Sequence, residues 1–113
     1  MSPLTINARD AATGPVLEIT GVLDHRTAPG LRRAVDRLTL VAGQLLVLDL
    51  TGLTFCDSSG ISALLAAHNL AREQNADTAL AAVPTDVTRI LRIVGLDRIF
   101  TVHPDAASAT NHS

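Results

Sequence analysis

The chain has 113 residues, the length of one domain, and 47% of them are hydrophobic, which is enough for a sizeable buried core. Its formal net charge of −2 argues against the basic face that nucleic-acid binding requires. It has two Phe, no Trp and no Tyr, so the core must be aliphatic. The single cysteine, Cys56, excludes an internal disulfide and favours a reducing compartment.

The sequence shows no pattern typical of membrane insertion, secretion or metal binding. No apolar run approaches membrane-spanning length, and residues 1–5 lack the basic and apolar pattern of a secretion signal. We therefore expect a cytoplasmic protein with no direct membrane insertion. We also expect no metal and no cofactor, because Cys-x-x-Cys is absent and the four histidines lack ligand spacing: His25, His68, His103 and His112.

The N-terminal part of the chain predicts a β-hairpin. Residues 4–8 alternate loosely between apolar and polar types, and residues 16–20 form a second strand that ends at Gly21. Between them, residues 11–15 read Ala-Ala-Thr-Gly-Pro, which is the composition of a turn. Two short strands joined by such a turn indicate antiparallel neighbours.

A helix and an interior strand follow the hairpin. Thr27 is in position to cap the helix, and Pro29 falls in its first turn. The apolar face of this helix is predicted to consist of Leu31, Ala34, Val35 and Leu38. Residues 45–50 are apolar on both faces, as in an interior strand of a sheet that is covered on both sides.

The second half of the chain predicts alternating helices and strands. They are a helix over 58–75, a strand over 78–83, a helix capped by Thr85 and ended by Gly95, a strand over 98–102 and a terminal helical turn over 104–110. The third helix is expected to bury Val87, Ile90, Leu91 and Val94. The order β-β-α-β-α-β-α-β-α predicts an α/β domain with a mixed sheet of four or five strands, parallel crossovers and about four helices.

The run Asp57-Ser58-Ser59-Gly60 lies where the central strand region gives way to a helix. A serine on the first turn of a helix is near unpaired backbone N–H groups and the positive end of the helix dipole, which favour an anion. The position therefore suits a phosphate that acts as a switch. From the motif alone, an equal alternative is that Ser58 or Ser59 is merely a helix cap.

The residues around this run resemble a known family. Residues 48–60, Leu-Asp-Leu-Thr-Gly-Leu-Thr-Phe-Cys-Asp-Ser-Ser-Gly, are similar to the signature of the STAS domain, the fold of bacterial anti-sigma factor antagonists. Residues 21–24, Gly-Val-Leu-Asp, and residues 95–100, Gly-Leu-Asp-Arg-Ile-Phe, match the same family. The resemblance covers residues 4–107, which we predict to be one STAS domain, with residues 108–113 as a disordered tail.

The resemblance implies a function without catalysis by this chain. In the family, the first serine of the motif is the phosphoacceptor, which corresponds to Ser58 here. The unphosphorylated antagonist binds an anti-sigma factor that is also a serine kinase, and this frees a sigma factor. Phosphorylation by the kinase ends the complex, and a metal-dependent serine phosphatase reverses the modification. We expect a monomer outside such complexes.

The partner surface is expected to surround Ser58 and to consist of Asp24, His25, Thr27, Cys56, Asp57, Ser59, Gly60, Ile61 and Ser62. Many family members have Leu-Gly where this chain has Ile61-Ser62, which changes the helix surface and is expected to affect partner choice. Ser59 is the competing acceptor, because its hydroxyl has the same chemistry. Cys56 is expected to be a small buried hydrophobe, since no basic neighbour in the sequence would lower its pKa.

Several of these residues have structural alternatives. Asp57 either helps a kinase position the serine or caps the helix, and capping is favoured. Asp24 either accepts a hydrogen bond from the Ser58 hydroxyl or shapes the loop for the kinase, and an Asx-turn is an equal alternative. Gly60 either permits close approach by a partner or fits a crowded first turn. The arginines at 26, 32, 33 and 37 either bind acidic partner groups or form a solvated helix face, which is more common.

Two other functions compete with a phosphorylatable antagonist. STAS domains also occur as subunits of lipid-transport complexes and as parts of anion transporters or stress-signalling assemblies. A serine hydrolase is disfavoured because Gly-x-Ser-x-Gly is absent and no histidine is in a convincing partner position.

Overall fold

A computed structural model describes residues 3–110, which form a mixed sheet with helices packed against it. The strands are β1 (Leu4–Ala11), β2 (Gly14–Leu23), β3 (Leu45–Asp49), β4 (Leu53–Cys56), β5 (Asp77–Ala81) and β6 (Thr101–His103). The helices are α1 (Ala28–Asp36), α2 (Ser58–Glu73), α3 (Thr85–Ile93) and α4 (Ala106–Thr110), with a short 3₁₀ helix at Leu96–Arg98.

The strand order confirms the predicted mixed sheet. The main path runs β1-β2-β3-β5-β6, so β3 lies at its centre. The hairpin pair β1 and β2 is antiparallel, and every other pair is parallel. Helical connections between the parallel strands account for this pattern, since a crossover is needed to start the next strand in the same direction.

The sheet contains one strand that the sequence analysis missed. Over residues 3–110 the main path has five strands, within the predicted range, and β4 is a sixth that lies off this path and pairs with β2. The ten-residue β2 is long enough to pair first with β3 and then with β4. Within the β2–β4 pairing the register shifts between Gly21, opposite Leu53, and Val22, opposite Phe55. Strand β4 follows β3 along the same neighbour, β2, and has only four residues. Four residues are too few for an alternating pattern to predict a strand.

Several predicted boundaries also shift. Thr85 is the first helical residue of α3 and Pro84 takes the cap position, so Thr85 is not the cap. The last strand covers Thr101–His103, because the chain first forms the 3₁₀ helix. Helix α4 continues to Thr110 with Ala109 buried, past residue 107. The predicted tail at 111–113 lies outside the described residues.

The core covers both faces of β3 and is aliphatic except for Phe100, which is buried in the larger cluster against the prediction of an aliphatic core. On one face, Leu46 and Leu48 are fully buried in a cluster with residues of α1 and α2. On the other face, Val47 is fully buried in a smaller cluster with Ala106 and Ala109 of α4. The short helix α4 therefore explains why β3 is apolar on both faces.

Candidate functional site

The site forms where β2 and β4 end side by side. Their parallel pairing closes with Leu23 opposite Cys56, so the residues that follow each strand emerge at the same edge of the sheet. The backbone N–H of Asp57 donates to the carbonyl of Leu23 at 3.4 Å. The Asp24 loop thus lies beside the start of α2.

Asp57 caps α2. Its backbone is extended, and its carboxylate accepts a hydrogen bond from the backbone N–H of Gly60 at 3.0 Å. This bond satisfies one of the N–H groups that a helix start leaves without an intrahelical partner. Asp57 therefore has the capping role, and Ser58 becomes the first residue of the helix, with an exposed side chain.

Ser58 and Ser59 face different neighbours although they are adjacent. Ser58 lines a groove between α2 and α3, whose other walls are the apolar residues Ile61, Leu65, Ile90, Val94 and Leu96. Ser59 lines a cleft between α1 and α2, together with His25, Ala28, Pro29 and Arg32. Ser62 lies one turn along α2 and borders both. The two hydroxyls therefore have the same chemistry in contrasting surroundings.

The α3 wall of the groove corrects one sequence prediction. Val94 was expected on the buried face of the third helix, but it is 55% exposed because α3 ends at Ile93 and Val94 lies at its C-cap. Phe55 on β4, 53% exposed, is another apolar residue near the site that the sequence analysis did not select. No periodic pattern marks it, because β4 has only four residues and its burial does not alternate.

Asp24 closes an Asx-turn. Its carboxylate accepts hydrogen bonds from the backbone N–H groups of Arg26 at 3.0 Å and Thr27 at 3.2 Å, and it pairs with the Arg26 guanidinium at 3.6 Å. Burial alone would raise the pKa of this carboxyl, but these N–H groups and the Arg26 charge outweigh it and hold the pKa below its ordinary value. Among the described residues, no hydrogen bond joins Asp24 to Ser58.

Thr27 braces the same loop. It occupies the N-cap position of α1 as predicted, but its hydroxyl does not cap the helix. Instead the hydroxyl donates to the carbonyl of Val22 at 2.9 Å and accepts from the backbone N–H of Asp24 at 2.9 Å. His25 projects from this braced loop and is exposed. The loop is thus fixed on both sides of His25.

Gly60 is required by close packing. A Cβ at this position would lie 2.6 Å from both the Cys56 sulfur and the Leu23 carbonyl oxygen. Of the two roles expected for Gly60, the structure therefore favours the fit into a crowded first turn, where Gly60 is buried and faces β2 and β4. Ile61 is buried beside it in the core cluster, so it belongs to the packing as well as to the groove.

Cys56 packs as a half-buried side chain against the core. Burial, with a smaller contribution from the negative charge of Asp57, raises the pKa of its thiol to about 11. The thiol is therefore protonated at neutral pH and is a poor nucleophile. The unreactive thiol fits the prediction of a small buried hydrophobe, but the side chain is half-buried and not buried.

The described residues hold neither a metal-ligand cluster nor a membrane-spanning helix. Within residues 3–110, no group of three or more His, Cys, Asp or Glu side chains is placed to hold a metal ion. In the same part of the chain, no helix has the length and hydropathy needed to cross a membrane.

Comparisons with known proteins show the family. The STAS domain profile matches residues 5–109, and the chain belongs to the STAS domain family. An anti-sigma F factor antagonist of Paenibacillus polymyxa is 28% identical over 95 residues, which are 83% of this chain and 81% of the relative.

Solved structures agree with this assignment. An anti-sigma factor antagonist from Mycobacterium paratuberculosis has a TM-score of 0.80 at 27% identity, and the match covers 94% of this chain and 90% of that one. A sulfate transporter family protein from Wolinella succinogenes has a TM-score of 0.73 at 17% identity, covering 84% of this chain and 80% of that one. The second likeness concerns the fold alone.

Removing the helix cap should destabilise the domain. We expect Asp57→Ala to lower the free energy of unfolding by about 1 kcal/mol, because the Gly60 N–H loses its acceptor. Asp57→Asn should retain most of the stability that the cap provides, because its side-chain oxygen can still accept this bond. Urea denaturation measures the difference. Asp86→Ala removes the same charge from the first turn of α3 and is the control. A loss for Asp57→Ala no larger than for Asp86→Ala would contradict the role of the cap bond.

Asp24 should make stability depend on pH in the acid range. Its folded-state pKa is lowered, so its contribution is present at neutral pH and is lost as the pH falls through that folded value. The difference in unfolding free energy between wild type and Asp24→Asn should therefore shrink between pH 7 and about pH 2.5. Urea titrations at both pH values measure this difference, and Asp97→Asn, at an exposed position, is the control. A constant difference would be inconsistent with the Asx-turn carboxylate as its source.

Proposed function

We propose that this chain is an anti-sigma factor antagonist whose phosphoacceptor is the Ser58 hydroxyl. The observation that carries the proposal is the exposed position of Ser58 as the first residue of α2, between a fixed cap and an apolar groove. A kinase can reach this hydroxyl without unfolding the domain. The similarity to anti-sigma factor antagonists supports the same function.

The surroundings of Ser58 explain how a phosphate would act. Phosphorylation adds about −1.5 to −2 charge and three acceptor oxygens. At the start of α2 the helix dipole favours this charge, so the fold should persist. The adjoining groove, however, would gain an anionic rim, which repels acidic groups and disfavours the burial of apolar ones. Phosphorylation therefore switches binding rather than folding.

The partners follow from the proposal. The unphosphorylated chain binds an anti-sigma factor that is also a serine kinase, and the complex ends when that kinase modifies Ser58. A metal-dependent serine phosphatase restores the binding form. We place this cycle in the cytoplasm.

The chain acts in this cycle as a binding protein and not as an enzyme. Among the described residues no histidine is hydrogen-bonded to Ser58, which supports an acceptor hydroxyl over an activated nucleophile. The remaining neighbours on the proposed contact surface are His25, Ser59, Ser62 and the groove residues of α3.

Mass mapping distinguishes the two serines. We expect one phosphate on wild type and on Ser59→Ala isolated from the native cells under changing growth conditions, and none on Ser58→Ala. The reason is that Ser58 is exposed while Ser59 is half-buried against α1. Intact mass with peptide mapping gives the result. A condition-dependent phosphate that persists on Ser58→Ala would refute the assignment.

Binding measurements test the switch itself. Ser58→Asp should weaken binding to the co-purifying anti-sigma factor at least about tenfold, or about 1.4 kcal/mol, whereas Ser58→Ala should bind as wild type does. Ser108→Asp, on the exposed side of α4, adds the same charge elsewhere and should have no effect. Calorimetric titration provides the affinities. Equal affinity of Ser58→Asp and wild type would favour a constitutive subunit of a larger assembly.

A further inference from the structure

A second surface lies between β1 and α1, outside the groove that Ser58 lines. It is an open cleft of about 500 Å³ with apolar residues on its floor and arginines on its wall. The floor includes Leu4, Ile6 and Ala34, and the wall consists of Arg26, Arg33 and Arg37. Among residues 3–110, no acidic side chain lines it. Such a volume is in the range of ordinary ligand sites.

The positive charge of this cleft is largely uncompensated. Residues 26–37 contain four arginines and one aspartate, in a chain whose net charge is −2. Within residues 3–110, Arg33 and Arg37 form no ion pair, while Arg26 pairs with Asp24 at 3.6 Å and stays largely exposed. Guanidinium groups present a planar fork of donors that matches carboxylates. The cleft is therefore built to attract anionic groups.

The spacing of the arginines favours an extended ligand. Arg33 lies in the last turn of α1 and Arg37 is its C-cap, still in helical conformation, so their backbones are separated by about 6 Å along the helix axis. Arg26 precedes the helix and lengthens the row. A row of charges over an apolar floor fits carboxylates interspersed with apolar side chains. In the part of the chain that the structure describes, no aromatic residue lines the cleft, so these residues offer none of the stacking surfaces typical of single-stranded nucleic-acid sites.

We propose that the cleft between β1 and α1 binds an acidic segment of a protein partner. Its carboxylates pair with Arg33 and Arg37, and its apolar side chains contact Leu4 and Ile6. Arg26 belongs to the loop that lies beside Asp57. A single partner can therefore cover Ser58 and contact the cleft at the same time. To that extent the inference rests on the proposed function, and the phosphate on Ser58 would repel the same acidic partner.

The experiment uses a fluorescein-labelled peptide, Glu-Leu-Glu-Glu-Leu-Glu, titrated with the whole chain and followed by fluorescence anisotropy. We expect saturable binding at low salt that weakens as salt screens the arginines. The double variant Arg33→Glu/Arg37→Glu should lose at least about tenfold in affinity, which is about 1.4 kcal/mol. Arg33→Gln/Arg37→Gln should lose less, and thermal melting of both variants reports whether they fold.

The matched control is Arg89→Glu/Arg92→Glu, which makes the same change of charge on α3 and should bind the peptide as wild type does. An equal loss in this control, or no peptide binding by wild type, would overturn the proposal. The proposal would also be overturned if a DNA oligonucleotide or phosphatidylglycerol vesicles bound more tightly than the peptide and this binding depended on Arg33 and Arg37.

The two proposals fail separately. Ser58→Asp should bind the peptide within about twofold of wild type, because Ser58 does not line the cleft. If peptide binding survives and Ser58 is never phosphorylated, the cleft stands without the switch. If Ser58→Asp loses the anti-sigma factor while Arg33→Glu/Arg37→Glu binds both it and the peptide normally, the switch stands and the cleft is refuted.

Discussion

The parallel pairing of β2 with β4 is the interaction on which the site depends. It brings Leu23 opposite Cys56, and the two chain segments that follow these residues therefore leave the sheet together. One segment is braced by the bonds of Asp24 and Thr27, and the other is fixed by the Asp57 cap. Neither segment would be near the other if the chain passed directly from β3 to α2.

Close packing beneath the first turn of α2 keeps this arrangement rigid. Gly60 leaves no room for a Cβ between the helix and the ends of β2 and β4, so the helix start cannot tilt inward. The Ser58 side chain is exposed above this packed layer. A change of charge at Ser58 therefore alters what the surface attracts and leaves the backbone that supports it in place.

The sequence predicted the features that depend on local pattern. The hairpin, the parallel crossovers and the capping role of Asp57 follow from periodicity and turn chemistry, and the mainly aliphatic core follows from composition. The features it missed depend on tertiary neighbours. Strand β4 exists because β2 extends past β3, and Val94 is exposed because α3 ends one residue earlier. The contrasting surroundings of Ser58 and Ser59 require the positions of both α1 and α3.

That contrast has a consequence for substrate recognition. Successive residues on a helix are rotated by about 100°, so two neighbouring hydroxyls acquire distinct surroundings only after the helix has formed and packed. In an extended chain they differ little. An enzyme that modifies one of them by its surroundings must therefore read the assembled three-dimensional surface, and modification would report that this domain has completed its folding.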